Sequence, residues 1–188
     1  ALITRAAAGD RAAAEAFIRA FQGQLYSFML RLSGKPDVAE DIVQDAFVRG
    51  LTNLHRFDPR YRFSTWLFTI ARRLYINRGL KHSPRISSEL VDLNTGTASE
   101  PGFARSAKDE SVGALSDHVQ RALTQLSLEQ REILLLFHQQ GWPIWLIAQH
   151  LELPEGTVKS HLHRGRRRLR NLLTLTPGVE RKIEEALT

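Results

Sequence analysis

The segment LPEGTVKSHLHRGRRRLR, residues 153–170, decides how this chain is read. Val158, Leu162, Gly165 and Leu169 fall at i, i+4, i+7 and i+11, one apolar stripe at helical period. The other faces carry Thr157, Lys159, Ser160, His161, Arg164, Arg166, Arg167, Arg168 and Arg170, so six Lys/Arg stand against one acid. A helix that docks by one face and offers cations and hydrogen-bond donors on the others suits phosphates and base edges. A solvated surface helix has the same composition; what precedes the segment separates the two. Behind Pro143, a suitable first helical residue, Ile144, Ile147, Ala148 and Leu151 repeat at helical spacing, and residues 152–155 make a turn. Helix, short turn and basic helix together form a helix-turn-helix pattern.

The full chain has 188 residues and a net charge of +6, enough for one mid-sized domain or two small ones. Its charge is clustered: residues 54–81 hold seven Lys/Arg and one acid, a second basic patch. Two patches imply two contacts with an extended polyanion. With no cysteine, a disulfide framework, a cysteine zinc site and a thiol nucleophile are excluded. No apolar run reaches bilayer length and the first residues lack a signal-peptide pattern, so a soluble, cytoplasmic protein is expected.

Residues 10–32 are expected to be helical, with Phe17, Phe21, Leu25, Phe28, Met29 and Leu32 on one face. After a break at 33–36, Asp37 is expected to cap a second helix, with Glu40 completing a capping box. Ala39, Ile42, Val43, Ala46, Phe47, Leu51 and Leu54 trace its apolar stripe; Glu40, Asp41, Gln44, Asp45 and Arg49 lie opposite, by composition a solvated face. The loop RFDPRYRF, residues 56–63, leads to Ser64, the expected cap of a helix through Trp66, Ile70, Arg73 and Asn77. Residues 82–116 are rich in Ser, Gly and Pro and too poor in apolar surface to fold alone. They read as a flexible linker, with Ile86, Leu90, Val91 and Leu93 available to a partner. Helices resume at 117–126, and Ser127, with Gln130 in capping-box position, starts another through Phe137. Thr176, Pro177 and Gly178 end the basic helix, and 179–187 can form a short terminal one. The expected class is all-α: a first domain at 1–82, a flexible linker at 83–115, a helix-turn-helix domain at 116–175 and a tail at 176–188.

The stretch RFDPRYRFSTWLFTIARRLYIN, residues 56–77, interleaves Phe57, Tyr61, Phe63, Trp66 and Tyr75 with Arg56, Arg60, Arg62, Arg72 and Arg73. Aromatic faces stack on unpaired bases at about 1–3 kcal/mol per base while arginines hold the backbone. Phe63, Leu67 and Phe68 are expected in the core and the loop residues 55–62 on nucleic acid. Enzyme readings lack support. His161 and His163, two apart on a helix, do not share a face for a metal, and no phosphate-binding Gly-Lys loop or nucleophile motif is present. No cofactor or metal is expected.

AEDIVQDAFVR (39–49), RFSTWLFTIAR (62–72) and LSLEQREILLL followed by GTVKSHLHRGRRRL (126–136 and 156–169) resemble, in order and spacing, bacterial sigma factors of the extracytoplasmic-function (ECF) type. The resemblance implies two helical domains on a flexible linker, and a non-catalytic subunit that binds core RNA polymerase and directs it to promoter DNA. It implies that Glu40, Asp41, Gln44 and Asp45 meet the clamp coiled coil of the polymerase's largest subunit. The loop with His55, Arg56, Phe57, Asp58, Arg60, Tyr61 and Arg62 would hold a flipped-out base of the minus-ten element, beside Trp66, Arg73 and Asn77. Thr157, Lys159, Ser160, His161 and Arg164 would read the minus-thirty-five element in the major groove, with Arg167 and Arg168 on phosphates.

Three positions depart from the family pattern. Arg73 stands where asparagine is frequent, His161 replaces a common arginine, and residues 143–146 read Pro, Ile, Trp, Leu in place of Ser, Tyr, Glu, Glu. Trp145 and Leu146 are then expected on the solvated side of their helix, as a contact for an anti-sigma factor, free or membrane-anchored, or packed on the linker or tail. Two other readings stay open. GTVKSHL also resembles the recognition helix of response-regulator effector domains, although residues 1–80 lack the alternating strands of a receiver. The remaining possibility is a protein that sequesters sigma factor or polymerase without reading DNA.

Overall fold

The structure, a computed structural model, describes residues 2–7, 9–58, 60, 62–82 and 107–174. The expected linker contacts at Ile86, Leu90, Val91 and Leu93, the terminal helix at 179–187 and Tyr61 lie outside the described residues. Among the described residues there is no strand, and two compact units stand on either side of segment 83–106.

In the first unit, α1 (Leu2–Ala7) packs on α2 (Arg11–Ser33). Alternation of small apolar and charged residues gave no marker for α1, and it is formed where Asp10 bridges the two helices. The Asp10 carboxylate accepts the Ala13 N–H (3.1 Å) as N-cap of α2 and the Arg5 Nε–H of α1 (2.8 Å). Those two donors hold its carboxyl below the ordinary range. Gly34, in the left-handed region at φ 72°, ends α2 by donating to the Leu30 carbonyl.

The next helix, α3 (Pro36–Thr52), does not use the expected cap. Lys35 occupies the N-cap without a side-chain bond, Pro36 takes the first turn, and Asp37 and Glu40 lie inside the helix. Proline wins because its fixed φ suits the first turn and its missing N–H leaves one fewer donor to cap. A 3-10 turn, Leu54–Arg56, leads to α4 (Phe63–His82). Ser64 is inside α4 and is not its cap; the Arg62 carbonyl accepts the Trp66 N–H (3.4 Å) and opens the helix.

α3 packs against both α2 and α4. Their core joins Phe17, Leu25, Phe28, Met29 and Leu32 to Ala39, Ile42, Val43, Ala46 and Phe47, and to Phe63, Leu67, Phe68, Ala71 and Tyr75. Leu51 is only half-buried; Gly50 replaces it in the stripe, since a Cβ there would already touch Leu67 Cδ1 at 3.4 Å. The Phe17 ring meets Phe63 edge-on at 4.5 Å and Phe47 at 6.2 Å. Each such fully buried ring contributes about 1.5–3 kcal/mol over an exposed one.

The described part of the second unit opens with α5 (Ala107–Thr124), whose start lies ten residues before the expected Asp117. Ala107, Lys108, Asp109 and Glu110 are competent helix residues that the neighbouring Ser and Gly hide from a compositional reading. Ser127 caps α6 (Leu128–Leu134) by accepting the Gln130 N–H, but the reciprocal half of the box is absent: Gln130 Oε1 is buried without a hydrogen bond. Arg131 to Leu136 are all buried, because beyond its first turn α6 is covered on every side. Its end widens into a π-helical segment, Leu135–Gln139, closed by Gln140 N–H to the Leu135 carbonyl and Trp142 N–H to Leu136. Gly141, at φ 65°, makes that exit possible. Then come α7 (Ile144–Leu151) and α8 (Glu155–Thr174). Pro143 is the N-cap of α7, one place before the position expected of it. The turn passes through Glu152 in the left-handed region (φ 57°), a conformation that costs a non-glycine residue about 1–2 kcal/mol.

Candidate nucleic-acid interface

α8 starts where the Pro154 carbonyl accepts the N–H groups of Thr157 and Val158. Glu155 in the first turn complements the helix dipole and pairs with Lys159 at 3.8 Å. Val158, Leu162 and Gly165 are buried, and α8 packs on both α6 and α7. A Cβ on Gly165 would stand 3.0 Å from Leu134 Cδ1, so glycine sets how closely α8 lies on α6. Docking by this stripe leaves Lys159, Ser160, Arg164, Arg167 and Arg168 exposed, with Thr157 half-buried in the first turn. At 100° per residue, Ser160, Arg164 and Arg167 lie opposite the stripe. Arg164 bends back so that its Nε–H donates to the Ser160 carbonyl at 3.4 Å.

His161 does not join this set. Flanking the stripe next to Leu162, it turns to α6: Nε2 lies 3.7 Å from Glu129 Oε2, and the side chain is 16% exposed. His161 thus contributes a contact between α6 and α8 and is less open than Ser160 and Arg164 beside it. Arg166 is likewise held. It sits over the Phe137 ring at 5.0 Å and donates from Nε to His138 Nε2 at 3.0 Å, anchoring α8 to the π segment. Burial and the Arg166 charge push the His138 imidazole below its ordinary value, which keeps that nitrogen an acceptor.

The pair at the start of α7 splits. Trp145 is 58% exposed, as expected, whereas Leu146 is buried, correcting its place on the solvated side. Sequence reasoning missed two buried polar groups that fix the motif. His150 of α7 lies 4.0 Å from Glu132 of α6 with the Trp142 ring edge-on at 5.1 Å. Arg131 donates to the carbonyls of Leu123, Thr124 and Leu126, closing the C-terminal end of α5. Neither carries a spacing signal, since each depends on a partner from another helix.

In the first unit, His55, Arg56, Arg60 and Arg62 are exposed around the α3–α4 connection. Phe57 is half-buried instead, its ring 5.0 Å from Phe63 and 5.5 Å from Trp66. It anchors the loop to the core through the same cluster that holds Trp66. Asp58 Oδ1 accepts the Arg60 backbone N–H (3.0 Å), and its two oxygens receive the Arg60 guanidinium through Nε and Nη2 (2.6–3.1 Å). These donors hold the Asp58 carboxyl below the ordinary range. Arg73 and Asn77, four apart on α4, are both exposed on one face.

Glu40, Asp41, Gln44 and Asp45 are exposed along α3, and Val48, 64% exposed, extends the strip. Asp41 is already engaged: Arg78 of α4 donates to it at 2.8 Å. No group of three or more His, Asp or Glu residues suited to a metal occurs among the described residues, and none of their helices is long and apolar enough to cross a membrane.

Residues 17–84 match the family model for Sigma-70 region 2, and residues 116–169 the model for Sigma-70, region 4. The ECF RNA polymerase sigma factor SigW of Bacillus subtilis is 31% identical over 88% of this chain and 91% of its own length. SigL, an ECF RNA polymerase sigma factor of Mycobacterium tuberculosis, is 33% identical over 96% of this chain and 99% of its own. Among solved structures, CnrH in complex with the cytosolic domain of CnrY matches with a TM-score of 0.66 at 25% identity, over 93% of this chain and 96% of that one. The sigma factor RpoE in complex with the anti-sigma factor NepR from Bartonella quintana matches with a TM-score of 0.64 at 27% identity, over 85% and 96%. The two helical units are thus the two sigma regions in their order, and the chain belongs to the ECF family of RNA polymerase sigma factors.

Proposed function

We propose that this sigma factor divides its work among three surfaces: α3 on core RNA polymerase, the α3–α4 loop with Arg73 and Asn77 on the minus-ten element, and α8 on the minus-thirty-five element. The observation that carries the reading is the docking of α8 by Val158, Leu162 and Gly165, which leaves Lys159, Ser160, Arg164, Arg167 and Arg168 exposed beside the helix-turn-helix. Ser160 and Arg164 are suited to base edges, Arg167 and Arg168 to phosphates. A regulator of the response-regulator type is disfavoured by the region 2 match, which occupies residues 17–84.

The first unit contributes to strand opening without completing it. Opening about ten base-pair steps costs on the order of 14 kcal/mol, at about 1.4 kcal/mol per step. A few stacked bases return about 1–3 kcal/mol each. The remainder falls to polymerase, with which the chain would act as a non-catalytic subunit in the cytoplasm. An anti-sigma factor, of the kind present in the complex of a similar sigma factor, is its expected regulator.

Run-off transcription with core polymerase on a genomic promoter library tests the whole reading. Core-dependent, promoter-selective transcripts are expected, and their absence refutes it. Asp45→Arg should weaken core binding without breaking the Asp41–Arg78 bridge. Arg164→Ala should relax preference in the upstream element by about 1–3 kcal/mol, while Arg168→Ala weakens all sequences alike; equal losses on all sequences for Arg164→Ala would make it a phosphate contact.

A further inference from the structure

Residues 54–81 contain a single acid, Asp58, among seven Lys/Arg. That acid is committed to one arginine. The Asp58 carboxylate receives Arg60 through Nε and Nη2 and also accepts the Arg60 backbone N–H, so it both turns the loop and neutralises an exposed cation. The Arg60 side chain is 82% exposed and that of Asp58 34%, which leaves the guanidinium on the outer side of the pair. Two oxygens meeting two parallel N–H groups is also how a phosphodiester would take an arginine.

We propose that Asp58 is an internal counter-ion that holds Arg60 in reserve, and that a phosphate of single-stranded DNA replaces the carboxylate when the loop engages its strand. The proposal rests on the reading of this loop as a DNA-facing surface. While the pair is closed, the loop offers no net charge at Arg60, which lowers its affinity for any passing polyanion. Engagement exchanges one charge-assisted pair for another. Only a strand whose bases also reach the loop then gains from the exchange, so Asp58 sharpens selectivity at the expense of general affinity.

The roles of Asp58 separate by substitution. Asp58→Asn keeps an acceptor for the Arg60 N–H and removes the charge; Glu15→Gln is the matched control, because Glu15 is an exposed partner of Arg11 on α2 and its loss changes net charge equally. Binding of the full chain to a fluorescein-labelled, randomised single-stranded 12-nucleotide DNA is measured by anisotropy between 50 and 200 mM salt. Asp58→Asn is expected to tighten binding about two- to five-fold at the lowest salt and to steepen the log–log salt slope by about 0.7, one phosphate contact on a single strand. Adding Arg60→Ala should abolish that gain, and Glu15→Gln should show little of it. Weaker binding by Asp58→Asn would make Asp58 a positioning residue for Arg60 and overturn the proposal, as would an unchanged slope or an equal gain from Glu15→Gln. If Arg56→Ala, Arg60→Ala and Arg62→Ala together leave affinity and slope unchanged in both the wild-type and the Asp58→Asn background, the DNA-facing reading of the loop itself fails.

Discussion

Replacing Arg131 by methionine should destabilise the second unit by about 2–3 kcal/mol. The guanidinium is buried, 9% exposed as a residue, and supplies the carbonyls of Leu123, Thr124 and Leu126 at 2.8, 2.7 and 3.2 Å. Hydrogen bonds to a charged group are worth about 1.5–3 kcal/mol each, so independent addition would give roughly 5–9 kcal/mol. Methionine also removes the several-kcal/mol desolvation cost of the buried charge and keeps the aliphatic stem in place. The difference leaves about 2–3 kcal/mol, which in a unit of this size lowers Tm by on the order of 10 °C or more. The assay is thermal unfolding followed by fluorescence in a Trp66→Phe background, where the remaining tryptophans, Trp142 and Trp145, both report on the second unit. Arg131→Lys, with one point donor for a fork, should recover less than half of the loss. A loss under about 0.5 kcal/mol for Arg131→Met would refute the argument that this side chain closes α5 onto α6.

Gly165→Val should cost about 1–3 kcal/mol in the same assay, because even its Cβ stands 3.0 Å from Leu134 Cδ1; stabilisation would mean that α8 does not approach α6 so closely. The His138 imidazole is held below its ordinary 6.5, so the unfolded chain binds the proton first as pH falls. Its contribution is complete above about 6.5 and is lost as pH drops through the lowered folded value; Tm should fall more for wild type than for His138→Gln between about pH 7 and pH 5.5, and parallel curves would exclude it. Trp145→Glu should weaken inhibition by an anti-sigma factor while sparing run-off transcription with core polymerase, since an exposed aromatic anchor can contribute about 2 kcal/mol or more. Undiminished inhibition would make Trp145 an idle surface residue.

The sequence by itself determined the elements whose signals are local. Apolar spacing at 3.6 residues located the buried stripes of α2, α3 and α8, Ser127 marked the start of α6, and the turn at 152–155 with a basic run after it announced α8. Local rules failed where two of them competed, as at Pro36 against Asp37, or where a helix carried no amphipathic marker, as at α1. The tertiary structure alone decided which polar groups remain available. Lys159, Arg164 and Arg166 look alike in the chain, yet Arg166 is held by Phe137 and His138. His161 is turned to Glu129, Asp41 to Arg78, and Phe57 into an aromatic cluster. Periodicity assigns a residue to a face of its own helix, whereas its availability depends on what a different helix places opposite, across separations as long as the 37 residues between Asp41 and Arg78.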